Sequence, residues 1–230
     1  MRVAPPTLTI TPTRQRRKEA RPQELLDAAL RLFVERGFAA TRMEEVAALA
    51  GVSKGTLYLY YASKEELLKA VIRERLSNEI EAGALEVAQH VGTHADLLRT
   101  LLAHWWLRVL DSPASGVFKL IITEVRSFPE IAEYYLREVV EPGSQLIGGV
   151  LQRGIEAGEF RAVNVEAAVH SLVLPMVMLC LHKHSVGACS PVESLLDPRE
   201  FVQQHIELIL NGLSGAVVPC QPTVAAKRHR

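Results

Sequence analysis

Between Thr41 and Lys64 the chain reads TRMEEVAALAGVSKGTLYLYYASK, and the caps, glycines and apolar spacing in it leave the backbone few paths. Thr41 predicts a helix N-cap, with Glu44 three residues on to reach back to the cap amide. Met43, Val46, Ala47 and Ala50 recur at three- and four-residue spacing and make one buried stripe. Gly51 suits the positive φ of a helix end, and Ser53 caps the next helix. That second helix runs through Tyr58, Tyr60 and Tyr61 with Thr56, residue types that propensity alone would not select for an isolated helix. Gly55 inside it costs about 1 kcal/mol relative to alanine, and its gain is close approach of the backbone to a neighbour such as a DNA phosphate. Ser63 and Glu66 repeat the capping box and open a third helix, with Lys64 in its first turn, where amide dipoles and ammonium both face an anion. A helix, a tight turn and a second short helix are the layout of a helix-turn-helix.

The run GVSKGTLYLYYASKEELL resembles the signature of the tetracycline-repressor (TetR) family of bacterial transcription regulators, and PQELLDAALRLFVERGFAATRMEEVA is similar to that family's first two helices. The resemblance spans Arg21 to about Leu68. It implies an all-α fold, a three-helix DNA-binding head on a larger helical bundle that binds ligand and dimerises. Position by position it implies that Lys54, Gly55, Thr56 and Tyr58 lie against DNA with Thr41, Arg42 and Ser53 beside them. It also implies that Tyr60 occupies a site where many relatives carry a phosphate-binding histidine, and that Lys64 holds backbone phosphate. Leu59 departs from the more usual aromatic or polar residue, leaving open a contact to a thymine methyl or none.

The charge distribution agrees with a DNA-binding head, although 26 basic residues balance 26 acidic ones overall. Residues 1–75 hold 14 Lys and Arg against 9 Asp and Glu, a net of +5, and residues 76–230 hold 12 against 17, a net of −5. Within the basic end, Arg14, Arg16, Arg17 and Lys18 follow a segment rich in proline and threonine. Such a run is either a solvated tail or an arm in which Arg17 and Lys18 meet the DNA backbone or minor groove. The expected organisation is a flexible arm over 1–20, the helix-turn-helix domain over 21–68, a ligand-binding and dimerisation domain over 69–214, and a flexible tail over 215–230.

From Ser63 onward the pattern is helical, with no period-two alternation and no Asn-Gly or Asp-Gly hairpin signal. Breaks at 90–93, 111–116, 127–129, 158–164 and 187–198 cut it into about six helical segments, which pack as an all-α bundle. Pro129 suits a first helical turn, and Pro142-Gly143 should kink or divide the segment Pro129–Ala157. Val165–Leu181 is apolar almost all round but carries Glu166, His170 and Pro175 and is short for a bilayer, so no membrane span is expected. No secretory signal is visible, and Cys180, Cys189 and Cys220 lack metal-type spacing, so a reducing cytoplasm is the expected location.

An all-round apolar helix needs cover on more than one side. We therefore expect Val169 and Val173 with Phe201, His205, Leu208 and Ile209 of the last helix to pair two chains as a homodimer; the alternative is a monomer core. The expected partners are a palindromic double-stranded DNA operator and a small-molecule inducer. For the inducer, Trp105, Trp106, Phe118, Tyr134, Tyr135 and Met176, with His104 and His170 as polar anchors, are candidate lining for a hydrophobic or aromatic compound; the alternative for each is ordinary core. His182-Lys-His184 lacks a carboxylate or cysteine at ligand spacing, so neither a metal nor a cofactor is expected. No GxSxG, GxxxxGK[ST], HExxH or GxGxxG pattern occurs, which leaves a regulator rather than an enzyme. The competing readings are a constitutive DNA-binding regulator or activator and an all-α enzyme carrying a helix-turn-helix.

Overall fold

The computed structural model of the protein describes residues 13–124, 126–189 and 197–214. Residues 1–12 and 215–230, which hold most of the expected arm and all of the expected tail with Cys220, lie outside the described residues. The chain is all-α, with no strand among the described residues.

Three helices make the head. Helix α1 (Thr13–Arg36) starts ahead of the expected position, so residues 13–20 are helical and Arg17 and Lys18 lie in its first turns. Pro22 sits inside α1 and supplies no N–H to the carbonyl of residue 18, which makes this the weakest joint of the helix. Gly37, at φ +89°, ends it. Helices α2 (Met43–Leu49) and α3 (Lys54–Tyr60) follow, turned by Gly51 at φ +68°. Phe33 of α1, Val46 of α2, Leu57 of α3 and Leu67 of α4 (Lys64–Ile72) are fully buried together. Each such side chain contributes roughly 1.5–3 kcal/mol by leaving water.

Helix α4 does not stop at the edge of the head. A π turn over Arg73–Ser77 carries it into α5 (Asn78–Gln89), so one continuous helical path joins head to body. The body adds α6 (His94–Asp111), α7 (Ser115–Glu124), α8 (Pro129–Tyr135), α9 (Glu141–Glu156), α10 (Val165–Lys183), the short α11 (Val186–Cys189) and α12 (Pro198–Ser214). Helix α6 is its axis, packed by α5, α7, α9 and α12, and buries Leu98, Leu102 and Trp106. Pro129 falls in the first turn of α8, as expected. The interruption expected at Pro142 takes the form of a second π turn, Leu136–Val140, in which the Glu141 amide donates to the Leu136 carbonyl five residues back. Pro142 has no N–H for the carbonyl four residues before it, so the widened turn redistributes the carbonyls there. The two π turns pack against each other where body meets head.

Helix α12 has two apolar stripes. Val202, Ile206, Leu210 and Leu213 are buried against α6 and α10, whereas Leu208 is 69% exposed and Phe201, His205 and Ile209 only partly covered. Leu174 and Met178 of α10 are likewise exposed.

Candidate nucleic-acid interface and ligand-binding body

Helix α3 is set by its caps. The Ser53 hydroxyl accepts from the Thr56 amide at 3.1 Å, and Ser63 does the same for Glu66 at 3.1 Å, fixing α3 and α4 at a short, stiff corner. Only Leu57 of α3 is buried. Ser53, Lys54, Gly55, Tyr58, Leu59 and Tyr60 form an exposed surface, and Thr56 is half-buried beside it. A Cβ added at Gly55 would meet nothing nearer than Ser53 Oγ at 3.9 Å. Nothing among the described residues therefore requires glycine, and its conformational cost remains unexplained by the head's own packing. Lys54 pairs with Glu44 of α2 and lies 5.7 Å from the Tyr58 ring centroid; that ammonium holds the Glu44 carboxyl below its usual range. Arg42, the N-cap of α2, is exposed. Leu59 is 86% exposed on α3.

Two of the expected DNA contacts lie elsewhere. Thr41 does not cap α2: it is 2% exposed, and its hydroxyl donates to the carbonyls of Gly37 at 2.8 Å and Leu32 at 3.3 Å, closing the end of α1. Arg42 is the cap instead, its amide donating to Glu45 Oε2 at 3.0 Å. Lys64 turns inward as well. Its ammonium donates to the carbonyls of Phe38 at 2.7 Å, Ala39 at 3.1 Å and Thr41 at 3.1 Å, and lies 4.6 Å from the Phe38 ring centroid. Three donors on three carbonyls leave none for a phosphate. Both residues hold the loop that carries the motif and do not reach its outer surface. A body residue also holds this loop, since the Phe38 amide donates to Glu124 Oε1 at 3.2 Å and Phe128 meets Phe38 edge-on at 4.7 Å.

Trp105, Trp106 and Phe118 pack ring against ring, but the expected ligand residues do not wall one hollow together. Trp106, Phe118 and Met176 are buried in continuous core, with Trp106 and Phe118 rings 5.9 Å apart. Tyr134 sits at the α4–α8 contact, with Lys69 Nζ 5.9 Å from its ring centroid, and Tyr135 is enclosed near Cys180, where burial pushes its hydroxyl up to about 12. His170 is exposed and bonds the Glu166 carbonyl of its own helix, so it is no interior anchor. His104, though exposed, walls an open groove of about 570 Å³, and Trp105 walls an enclosed cavity of about 20 Å³. Aromatic or apolar character is what makes Trp106, Phe118, Met176 and Tyr134 candidates, and it cannot tell a core-facing side chain from a cavity wall. The groove's Glu74, Arg75, Glu79 and Arg108 escaped notice because no local pattern joins residues on separate helices.

At the far end, Val169 is not on the outer face: it is buried, near Gly148 of α9. Val173, Phe201, His205, Leu208 and Ile209 keep an accessible surface, with His205 Nε2 2.9 Å from the Ser171 carbonyl and stacked on Phe201 at 5.6 Å. His184 Nε2 meets Ser115 Oγ at 2.8 Å, and no cluster of three metal-ligating side chains occurs among the described residues.

Comparison with known proteins places these features. Residues 25–71 match the family described as bacterial regulatory proteins, tetR family, and residues 90–197 match the tetracyclin repressor-like C-terminal domain. The chain is 28% identical over 199 residues to the HTH-type transcriptional repressor KstR2 of Rhodococcus jostii strain RHA1, covering 86% of this chain and 93% of that protein. It is 30% identical over 161 residues to the HTH-type transcriptional regulator YfiR of Bacillus subtilis strain 168, covering 69% and 77%. A crystal structure of the transcriptional regulator FadR from Bacillus subtilis, in complex with stearoyl-CoA, superposes with a TM-score of 0.67 at 20% identity over 83% of this chain and 98% of that one. Head, body and connection thus agree, and the chain belongs to the TetR family of DNA-binding transcriptional regulators.

Proposed function

We propose that the protein is a homodimeric repressor whose hold on a palindromic operator is relieved by a small hydrophobic ligand in its helical body. The observation that carries the DNA-binding part is the outer face of α3. It exposes Lys54, Tyr58, Leu59 and Tyr60 around a glycine that no contact among the described residues requires. Phosphate oxygens would take the lysine and hydroxyl donors, and the glycine lets the backbone approach closely. The dimer part rests on α10 and α12, whose outer faces leave Leu174, Met178 and Leu208 to water although each helix already packs its other side into the core. A second copy related by a two-fold axis would cover them and set two heads one helical turn of DNA, or a multiple, apart.

Selection of bound duplexes from a random library, followed by sequencing, tests this reading. Enrichment of an imperfect palindrome with half-site centres spaced by whole helical turns supports it; no enrichment, or single half-sites bound tightly by monomer, contradicts it. The compact core around Trp106, Phe118 and Met176 favours a second reading, a constitutive regulator with no small-molecule ligand. It would show operator affinity indifferent to every compound the body binds.

A further inference from the structure

Leu57 is the one residue of α3 that faces the core, and it fixes where the others point. With 3.6 residues to the turn, Gly55 and Leu59 stand about 160° and 200° round the helix axis from Leu57, so together they form the column aimed straight away from the head. Lys54 and Tyr58, one turn apart, make one flank of that column, and Thr56 and Tyr60 make the other. Exposure follows the same wheel. Leu59 is 86% exposed, against 42% for Tyr58 and 38% for Tyr60, and no other large apolar side chain among the head's described residues is more than half exposed.

The outermost column therefore carries no hydrogen-bonding side chain. The polar groups beside it are partly engaged already, since Lys54 pairs with Glu44 and the Thr56 hydroxyl lies 2.8 Å from that of Ser53. Base edges in the major groove present donors, acceptors and a single apolar group, the C5-methyl of thymine. A leucine laid against that methyl removes two apolar surfaces from water. Laid instead against the edge of guanine, adenine or cytosine, it strips water from a ring nitrogen, a carbonyl or an amine and offers no partner in return. Attraction and penalty thus favour the same base.

Resting on the DNA-contacting face of α3 proposed above, we infer that Leu59 is a specificity-determining residue that reads the C5-methyl of one thymine in each operator half-site. Gly55, one turn earlier in the same column, lets the backbone sink toward the base edges, because its side would otherwise carry a Cβ with no protein atom nearer than 3.9 Å. Lys54, Tyr58 and Tyr60 on the flanks take phosphates and set the depth at which Leu59 rests. The position is then read through a methyl group and not through paired hydrogen bonds, so a cytosine carrying a C5-methyl should be preferred there to a plain cytosine.

The selected operator is resynthesised with its half-site thymines replaced by deoxyuridine, one symmetric pair at a time, which removes the methyl and nothing else. Each duplex is titrated with the full-length wild type and with Leu59→Ala. The wild type should lose affinity at one thymine pair, about fourfold for each methyl removed and so about 16-fold for the pair. Leu59→Ala should melt like the wild type, since the side chain is exposed, bind the unmodified operator more weakly, and be indifferent to uracil at that pair. Replacing the same pair by 5-methylcytosine should give tighter wild-type binding than replacing it by cytosine, with no difference for Leu59→Ala. Half-sites with no preferred thymine, no uracil-sensitive pair, or a pair to which Leu59→Ala is equally sensitive would overturn the assignment while leaving α3 on the DNA. If Lys54→Ala and Leu59→Ala both bind the operator as the wild type does, the α3 face itself fails, and the assignment of Leu59 with it.

Discussion

The head and the body each leave apolar or aromatic side chains at their surface, but the two surfaces are built differently. On α3 the exposed Tyr58, Leu59 and Tyr60 follow Ser53, Lys54 and a glycine at the start of the same short helix, and the helix is held from behind by caps and by Leu57 alone. On α12 and α10 the exposed Leu208, Leu174 and Met178 belong to long helices whose opposite sides are deep in the core. The first surface offers donors and close backbone approach, which suits phosphates and base edges. The second offers area and little charge, which suits another copy of itself. Affinity for DNA should depend on both, for different reasons.

Leu208→Asp strikes the second surface and should have the largest effect. Leu208 is exposed in the single chain, so the variant should fold and melt nearly as the wild type does, yet sediment as a monomer at micromolar concentration. Uncoupling two heads should lower operator affinity by at least about 100-fold, through loss of effective concentration alone. A variant that remains dimeric would remove α12 from the interface.

Gly55→Ala strikes the first surface more gently. Alanine favours the helix by roughly 0.5–1 kcal/mol and a Cβ there meets no protein atom closer than 3.9 Å, so the melting temperature should hold or rise. Operator affinity should nevertheless fall, by about tenfold if one close backbone contact worth roughly 1.4 kcal/mol is lost. Equal affinity would mean that the glycine faces no DNA.

A smaller effect belongs to the body. Burial, with Lys183 and Lys119 nearby, holds His184 below its ordinary value of 6.5. Because the folded value is the lower one, the stability tied to its neutral form is complete above that ordinary value and is lost as pH falls from there toward the folded value. Thermal melts between pH 7 and pH 5 should slope downward toward acid, and His184→Gln should flatten the slope. A variant with the wild-type slope would assign it to other groups.

What could be read from the sequence follows the same division. The caps Ser53 and Ser63, the turn glycine Gly51 and the Leu57 anchor act within a few residues of themselves, so their spacing carried the head's geometry. Thr41 and Lys64 misled because their chemistry is equally suited to anions and to backbone carbonyls. The nearest acceptors were those left at the end of α1 and in the loop after it, which only the folded head brings to them. In the body the helix breaks were legible, as was the apolar character of α10. The walls of the groove were not, because Arg75 meets Asp27 across 48 positions and Arg108 meets Glu79 across 29. Val169 and Val173 are only four residues apart on one helix, yet only the packing of α9 shows that the first is inside.

The most direct test of the claim that the outer face of α3 is what meets DNA is a pair of salt titrations of operator binding, for Lys54→Ala and Lys64→Ala. If Lys54 lies on phosphate and Lys64 on carbonyls, the first variant should flatten the dependence of log K on log salt by about one unit at nearly unchanged stability. The second should keep the wild-type slope and lose about 2 kcal/mol of stability, the scale of charge-assisted hydrogen bonds to a loop left without its donor. An unchanged slope for Lys54→Ala together with a flattened one for Lys64→Ala would contradict the assignment and place the DNA on the other side of the motif.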